Sequence, residues 1–262
     1  MNSFMRFMSR IVRLCVILAF VFIAIPIAIS AVIKYNQGWP GSWNRADWSA
    51  THTAPNPAFE RDAMIRIYAA RTGRWKSVFA VHSWIAIKPK NAPRWTRFDV
   101  VGWGRPLRQD AYAVDARWYS NPPYVVHEIK GEKAEQLIPK VVDAIKTYPY
   151  GSYGDYRIWP GPNSNTFVAT IVRAVPGLDA TLPATAVGKD FLGHGLTFGL
   201  MPSKTGAQFS LSGIVGAGLS WEEGAELHLL GGTVGVNPMK LSISLPGLGR
   251  LSLKDEAVAG VP

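Results

Sequence analysis

Ser164 and His82 are the residues of this chain whose types and surroundings could do covalent chemistry. Ser164 lies in WPGPNSNTFVATIVR (residues 159–173), which opens with the breakers Pro160, Gly161 and Pro162. Phe167, Val168, Ile171 and Val172 then recur at three- and four-residue spacing, which predicts an amphipathic helix starting near Asn163-Ser164-Asn165. The first turn of a helix has unpaired backbone N–H groups and the positive end of the helix dipole. A hydroxyl there suits a nucleophile, and it equally suits a helix cap. Attack on a carbonyl also needs a base, a partner that orients the base, and fixed donors for the oxyanion. His82 is the candidate base and Asp99 the candidate orienter, with Thr96 or Arg97 taking that place if the strand register differs. Backbone N–H groups at and after Ser164, or the amides of Asn163 and Asn165, are the candidate oxyanion and ligand donors.

These residues have to be positioned by a sheet and a helix. Strands are predicted over 63–70, 76–88 and 95–103. In the second, Phe79, Val81, Ile85 and Ile87 share one face, and His82, Trp84 and Ala86 the other. The short loop KPKNAPR makes a hairpin of the second and third strands, so His82 can meet polar groups across it. A short strand follows at 124–129. Ala134, Leu137, Ile138, Val141, Val142 and Ile145 then form a helical stripe within 132–147, which Pro139 either kinks or starts. From residue 207 the chain turns to Gly-punctuated, strand-like segments, read as a small antiparallel sheet or half-barrel. Its GIVGAG lacks the preceding strand, following helix and later acidic residue of a dinucleotide site. The class is α+β.

Residues 14–33, LCVILAFVFIAIPIAISAVI, carry no charge. At about 1.5 Å per residue they reach roughly 30 Å, the thickness of a bilayer's hydrocarbon core. A cleaved signal peptide is the competing reading, with small residues at Ala28-Ile29-Ser30-Ala31. The longer run favours an uncleaved anchor. Arg6, Arg10 and Arg13 precede the run and only Lys34 and Arg45 follow closely, which places the N-terminus in the cytoplasm and the bulk of the chain outside. Trp39, Trp43 and Trp48 suit either the membrane interface or the domain's own core. The lone cysteine, Cys15, lies in the leader, so neither an intrachain disulfide nor a catalytic thiol in the outer part is available. His52, His127, His194 and His228 have no metal-ligand spacing, and no cofactor is expected. The segments are a cytoplasmic N-terminus at 1–13, the anchor at 14–33, a tether at 34–60, an α+β domain at 61–204 and the Gly-rich β region at 205–262.

A strand histidine followed much later by an Asn-nucleophile-x-x-Phe turn that opens a helix resembles the circularly permuted NlpC-type papain-like proteins. That likeness covers roughly residues 82–173 and implies a papain-like sheet and helices for 61–204, with Ser164 where that family has its cysteine. More closely, AARTGRWKSVFAVHSWIAIK, WPGPNSNTFVATIVR and the Gly-rich third resemble an uncharacterised bacterial membrane-protein family, domain of unknown function 3750, which implies no established activity. A thiol is partly ionised near neutrality, whereas a serine hydroxyl depends fully on an oriented base. The site is therefore expected to be a degenerate papain-like one, in an anchored module that binds a peptide, lipid or cell-wall ligand. The alternative is a serine-type amide or ester hydrolase, or an acyltransferase, using Ser164 and His82. Lys88, Lys90 and Arg94, with Arg97 beside them, form a positive loop suited to anionic lipid or envelope polymer, and nucleic acid is not an expected partner, despite a net charge of +10.

Overall fold

The computed structural model describes residues 3–253. Residues 1–2 and 254–262, the outer ends of the 1–13 and 205–262 segments, lie outside the described residues. The leader is one helical rod: α1 (Ser3–Ala19), a π-helical turn at Phe20–Ala24, and α2 (Ile25–Gln37). Pro26 has no N–H to give, and its ring crowds the carbonyl four residues back, where the wider π turn lies. The stretch Phe4–Gln37, 34 residues, is apolar and long enough to cross a membrane.

Among the described residues, twelve strands form two antiparallel sheets. The first contains β1 (Met64–Arg71), β2 (Val81–Lys88), β3 (Thr96–Val100), β4 (Leu107–Gln109) and β5 (Tyr124–Lys130), in the order β4-β3-β2-β1-β5. Side chains alternate across a strand, and here both faces are covered. Ile65, Ile67, Ile85 and Phe98 pack on one face against α3 (Glu132–Lys146) and α4 (Ser164–Ala174), through Leu137, Val141, Phe167 and Ile171. Tyr68, Trp84, Trp95 and Trp118 form an aromatic layer on the other. All eight residues of β2 are buried for that reason. The strand starts later than its sequence suggests, because Arg74–Val78 first makes a 3-10 turn. Pro139 sits inside α3 without breaking it; the stripe Ala134, Leu137, Ile138, Val141 and Ile145 is buried, and this packing offsets the one backbone bond proline removes.

Much of the 34–60 segment lies over the aromatic layer. The Trp43 and Trp48 rings are 3.9 Å apart, and Trp48 meets Trp118 edge-on at 5.2 Å. The backbone N–H groups of Thr53 and Ala54 donate to Asp115 Oδ2 at 2.6 and 2.9 Å. The segment is thus a strap, and two of its three tryptophans, Trp43 and Trp48, pack half-buried on the aromatic layer, while Trp39 stays exposed.

The second sheet is a meander of β6 (Leu196–Leu200), β7 (Gly206–Leu211), β8 (Val215–Ser220), β9 (Gly224–Leu229), β10 (Gly232–Asn237), β11 (Ser242–Leu245) and β12 (Gly249–Ser252), paired in chain order. Its buried side is polar: Lys189 Nζ reaches both Glu226 oxygens, at 3.0 and 2.8 Å, with His228 and Thr233 alongside. The leader helix touches both units. Ser30 Oγ donates to the Val78 carbonyl at 2.7 Å, the β11–β12 turn at Gly247 closes on Ser30, and the π turn packs on β10.

The aliphatic core makes one stability prediction. Ile171 is fully buried between α4 and the sheet, so Ile171→Ala should destabilise the domain by about 2–5 kcal/mol, read as a lowered denaturation midpoint of the detergent-solubilised chain.

Candidate functional site

Strands β2 and β3 pair only from Ile85 to Ile87, which leaves the edge of β2 open at Val81–Ser83. Open strand edges carry unpaired backbone groups that must be satisfied when buried. The N-terminus of α4 fills this gap. Asn165 Nδ2 donates to the carbonyls of Val81 at 3.0 Å and Val187 at 2.9 Å, and Asn165 Oδ1 accepts from Ser83 Oγ at 2.9 Å. The Val81 N–H donates to the Thr185 carbonyl at 3.0 Å. The helix therefore grips the strand on both sides of His82.

The cap of α4 is Asn163, and Ser164 is its first helical residue. Asn163 Oδ1 accepts from the N–H groups of Asn165 at 2.9 Å and Thr166 at 3.1 Å, as an N-cap does. Its Nδ2 donates to the carbonyls of Ile158 and Val187. Gly188 passes so close that a Cβ there would lie 2.5 Å from Asn163 Nδ2, at a φ of +90°; only glycine suits both demands. Both asparagine amides are committed to these internal bonds.

His82 points into the aromatic layer. Its ring lies flat on Trp118, centroids 3.6 Å apart and planes 4° from parallel. Nε2 donates to Asp99 Oδ1 at 2.9 Å, which makes Nδ1 the basic nitrogen of the neutral ring. Asp99 is the partner anticipated from the hairpin. Arg97 is not an alternative to it but its second partner: Nε meets Oδ2 at 2.7 Å and Nη2 meets Oδ1 at 2.9 Å. Arg97 Nη1 also donates to the Ala113 carbonyl at 2.7 Å, and the guanidinium lies 3.9 Å over Trp84.

The electrostatics follow from this sealing. Burial alone would raise the Asp99 carboxyl, but the Arg97 charge and the bonds from His82 and Arg97 outweigh it and hold Asp99 at about 2. Burial pushes His82 below its usual range, and Asp99 offsets this only in part while Arg97 adds to it. The ring is kept neutral and its carboxylate partner is already neutralised by a guanidinium. Ser164 and His82 are both 4% exposed, and no hydrogen bond joins Ser164 Oγ to the imidazole. The structure brings the serine's helix to the histidine's strand, and it shows the His82–Asp99 pair directly.

The basic loop divides. Lys88 is buried with Nζ on the Asp62 carbonyl, and Lys90 lies 3.5 Å from Glu135. Arg94 is exposed and lines a groove of about 380 Å³ with Pro57, Trp95, Arg97, Asp110 and Tyr112. Among the described residues no three His, Cys, Asp or Glu side chains converge as metal ligands. Sequence reading missed Trp118 and the 185–188 loop, which sit in irregular connections with no periodicity. Arg97 carried a usable signal, being two residues from Asp99 and so on its face.

A stability–pH profile tests the array. The depressed Asp99 value favours folding above its unfolded value of 3.8, contributes about 2 kcal/mol at neutrality, and is lost as pH falls through about 2. The depressed His82 value adds a loss that starts below 6.5. Stability should therefore decline on acidification in two stages, and Asp99→Asn should lower it at neutral pH and flatten the limb below pH 4, monitored by thermal unfolding.

The chain matches no curated protein and no solved structure. Residues 62–191, which hold the five-stranded sheet, both of its helices and the whole His82–Asp99–Arg97 array, match the model of the family described as "Protein of unknown function (DUF3750)", so this stretch is similar to an uncharacterised domain family.

Proposed function

We propose that the chain is a single-pass, membrane-anchored protein of the bacterial cell envelope whose domain is a non-catalytic relative of the papain-like fold. One observation carries the reading: the His82–Asp99–Arg97 array is closed over by Trp84 and Trp118, with Ser164 equally buried beside the strand. A general base has to receive a proton and become charged during the reaction. An imidazolium at His82 would lie against the Trp118 ring and beside a guanidinium already paired with Asp99. That arrangement suits a rigid structural tie between β2, β3 and the aromatic layer. The leader, with Arg6, Arg10 and Arg13 ahead of it, supports an anchor in the inner membrane with the domain on the far side of the bilayer from those arginines.

The ligand-binding role falls to the groove beside Arg94. It sets the exposed Arg94 beside Trp95 and Tyr112, a positive charge suited to an anionic group of a peptide, lipid or cell-wall polymer. Lys88 and Lys90 are tied to Asp62 and Glu135, so the contact is assigned to Arg94. The hydrolase or acyltransferase reading keeps one supporting observation, the His82 tautomer that leaves Nδ1 unprotonated on the strand gripped by Asn165.

Two measurements on the full chain check this proposal. In alkaline carbonate extraction the protein should stay with the membrane pellet. In detergent, a fluorophosphonate probe should leave Ser164 unlabelled. Labelling of the wild type that disappears in Ser164→Ala would replace the binding module with the serine enzyme.

A further inference from the structure

The second sheet is built inside out relative to a water-soluble one. Antiparallel sheets with one solvated face put apolar residues inward and polar residues outward. Along β9 the order is reversed: Glu226 and His228 are buried, while Ala225, Leu227 and Leu229 are exposed. Strand β7 buries Gln208 and Ser210 and exposes Phe209 and Leu211; β10 buries Thr233 and Asn237 and exposes Val236. Leu219 on β8 is 70% exposed and Phe198 on β6 is 76% exposed. Apolar side chains outward and polar ones inward, repeated strand after strand, is the pattern of a sheet surface that meets hydrocarbon.

The depth of the sheet relative to the leader identifies what covers it. Strand β10 packs on the leader at Phe20–Ala24, the middle of the uncharged run 14–33. The β11–β12 turn meets the same helix at Ser30, about 12 Å closer to the domain at 1.5 Å per residue. A helix that crosses a bilayer therefore carries this sheet from the interface to about mid-depth. At those depths the outward Phe198, Leu219 and Leu227 have lipid as their neighbour.

We infer that the outer face of the β6–β12 sheet is bedded in the lipid leaflet next to the domain, so that the protein holds the membrane by a sheet as well as by a helix. This rests on the anchor proposed above. Only one leaflet is involved. Strands of four to six residues reach roughly 13–20 Å at about 3.3 Å per residue, short of the roughly 30 Å core. An open sheet also cannot put its edges into hydrocarbon, since they would leave backbone groups unpaired, so the contact is through the apolar face and not through the β6 and β12 edges. The polar face stays against the domain through the Lys189–Glu226 pair, shielded from lipid by the sheet itself.

The test is fluorescence quenching on the full chain in phosphatidylcholine–phosphatidylglycerol vesicles. Cys15→Ser supplies a cysteine-free background, and an environment-sensitive dye is placed singly at Leu219→Cys, Leu227→Cys, Ile17→Cys in the leader, and Tyr153→Cys on the exposed side of the domain. Doxyl lipids should quench the dye at 219, 227 and 17, with blue-shifted emission, and aqueous iodide should quench only that at 153. If 17 is quenched by doxyl lipid while 219 and 227 behave like 153, the sheet lies in water and the inference fails with the anchor intact. Dyes at 219 and 227 shielded from both quenchers would mean that protein, a second copy included, covers the face, which also overturns it. An unquenched dye at 17 would remove the anchor itself.

Discussion

Asp99 is a carboxylate with no exposure to water, and its neighbourhood is arranged to keep it charged. An ion in such a place needs a counter-charge and a filled set of hydrogen bonds, since desolvation otherwise exceeds any attraction it gains. Arg97 supplies the charge through two parallel bonds and His82 supplies a further donor. The flat groups are then roofed by indoles, Trp84 over the guanidinium and Trp118 over the imidazole. Trp118 is in turn held by the strap, through Trp43 and Trp48. A single buried charge thereby ties together β2, β3, the irregular 112–121 connection and the chain just after the leader.

The opposite side of β2 obeys the same demand with neutral groups. Where β3 stops pairing, the Val81 backbone is satisfied by Asn165 and the Thr185 carbonyl, and Asn163 satisfies the helix end that brings Asn165 there. Polar residues that read as a reactive turn are thus used to seal a strand edge. The Asn163 and Asn165 amides here donate to the internal carbonyls of Ile158, Val81 and Val187.

Periodicity made much of this legible. The alternation in β2 separated His82 from Ile85, the hairpin paired it with the strand carrying Asp99, and the apolar spacing after Ser164 located α4. What stayed hidden was set by contacts distant in sequence. Nothing local says that Asn163, and not Ser164, will be the cap, because that depends on the 187–188 backbone arriving beside it. Trp118 lies between turns, and its partnership with His82 exists only once the strap is folded. The glycine-rich third was readable as a sheet, and its outward leucines were in plain view, yet which face is buried depends on where Lys189 docks.

The hydrogen bond from Ser30 to Val78 also bears on maturation. The small residues around it are those a leader peptidase would seek, and such enzymes take extended substrate. Here they are wound into a helix, with Ser30 buried against the domain and the Gly247 turn. Severing the chain there would orphan the Val78 carbonyl and bare the β11–β12 turn. In the folded chain the leader is thus packed as part of the molecule, joined to the domain through Ser30.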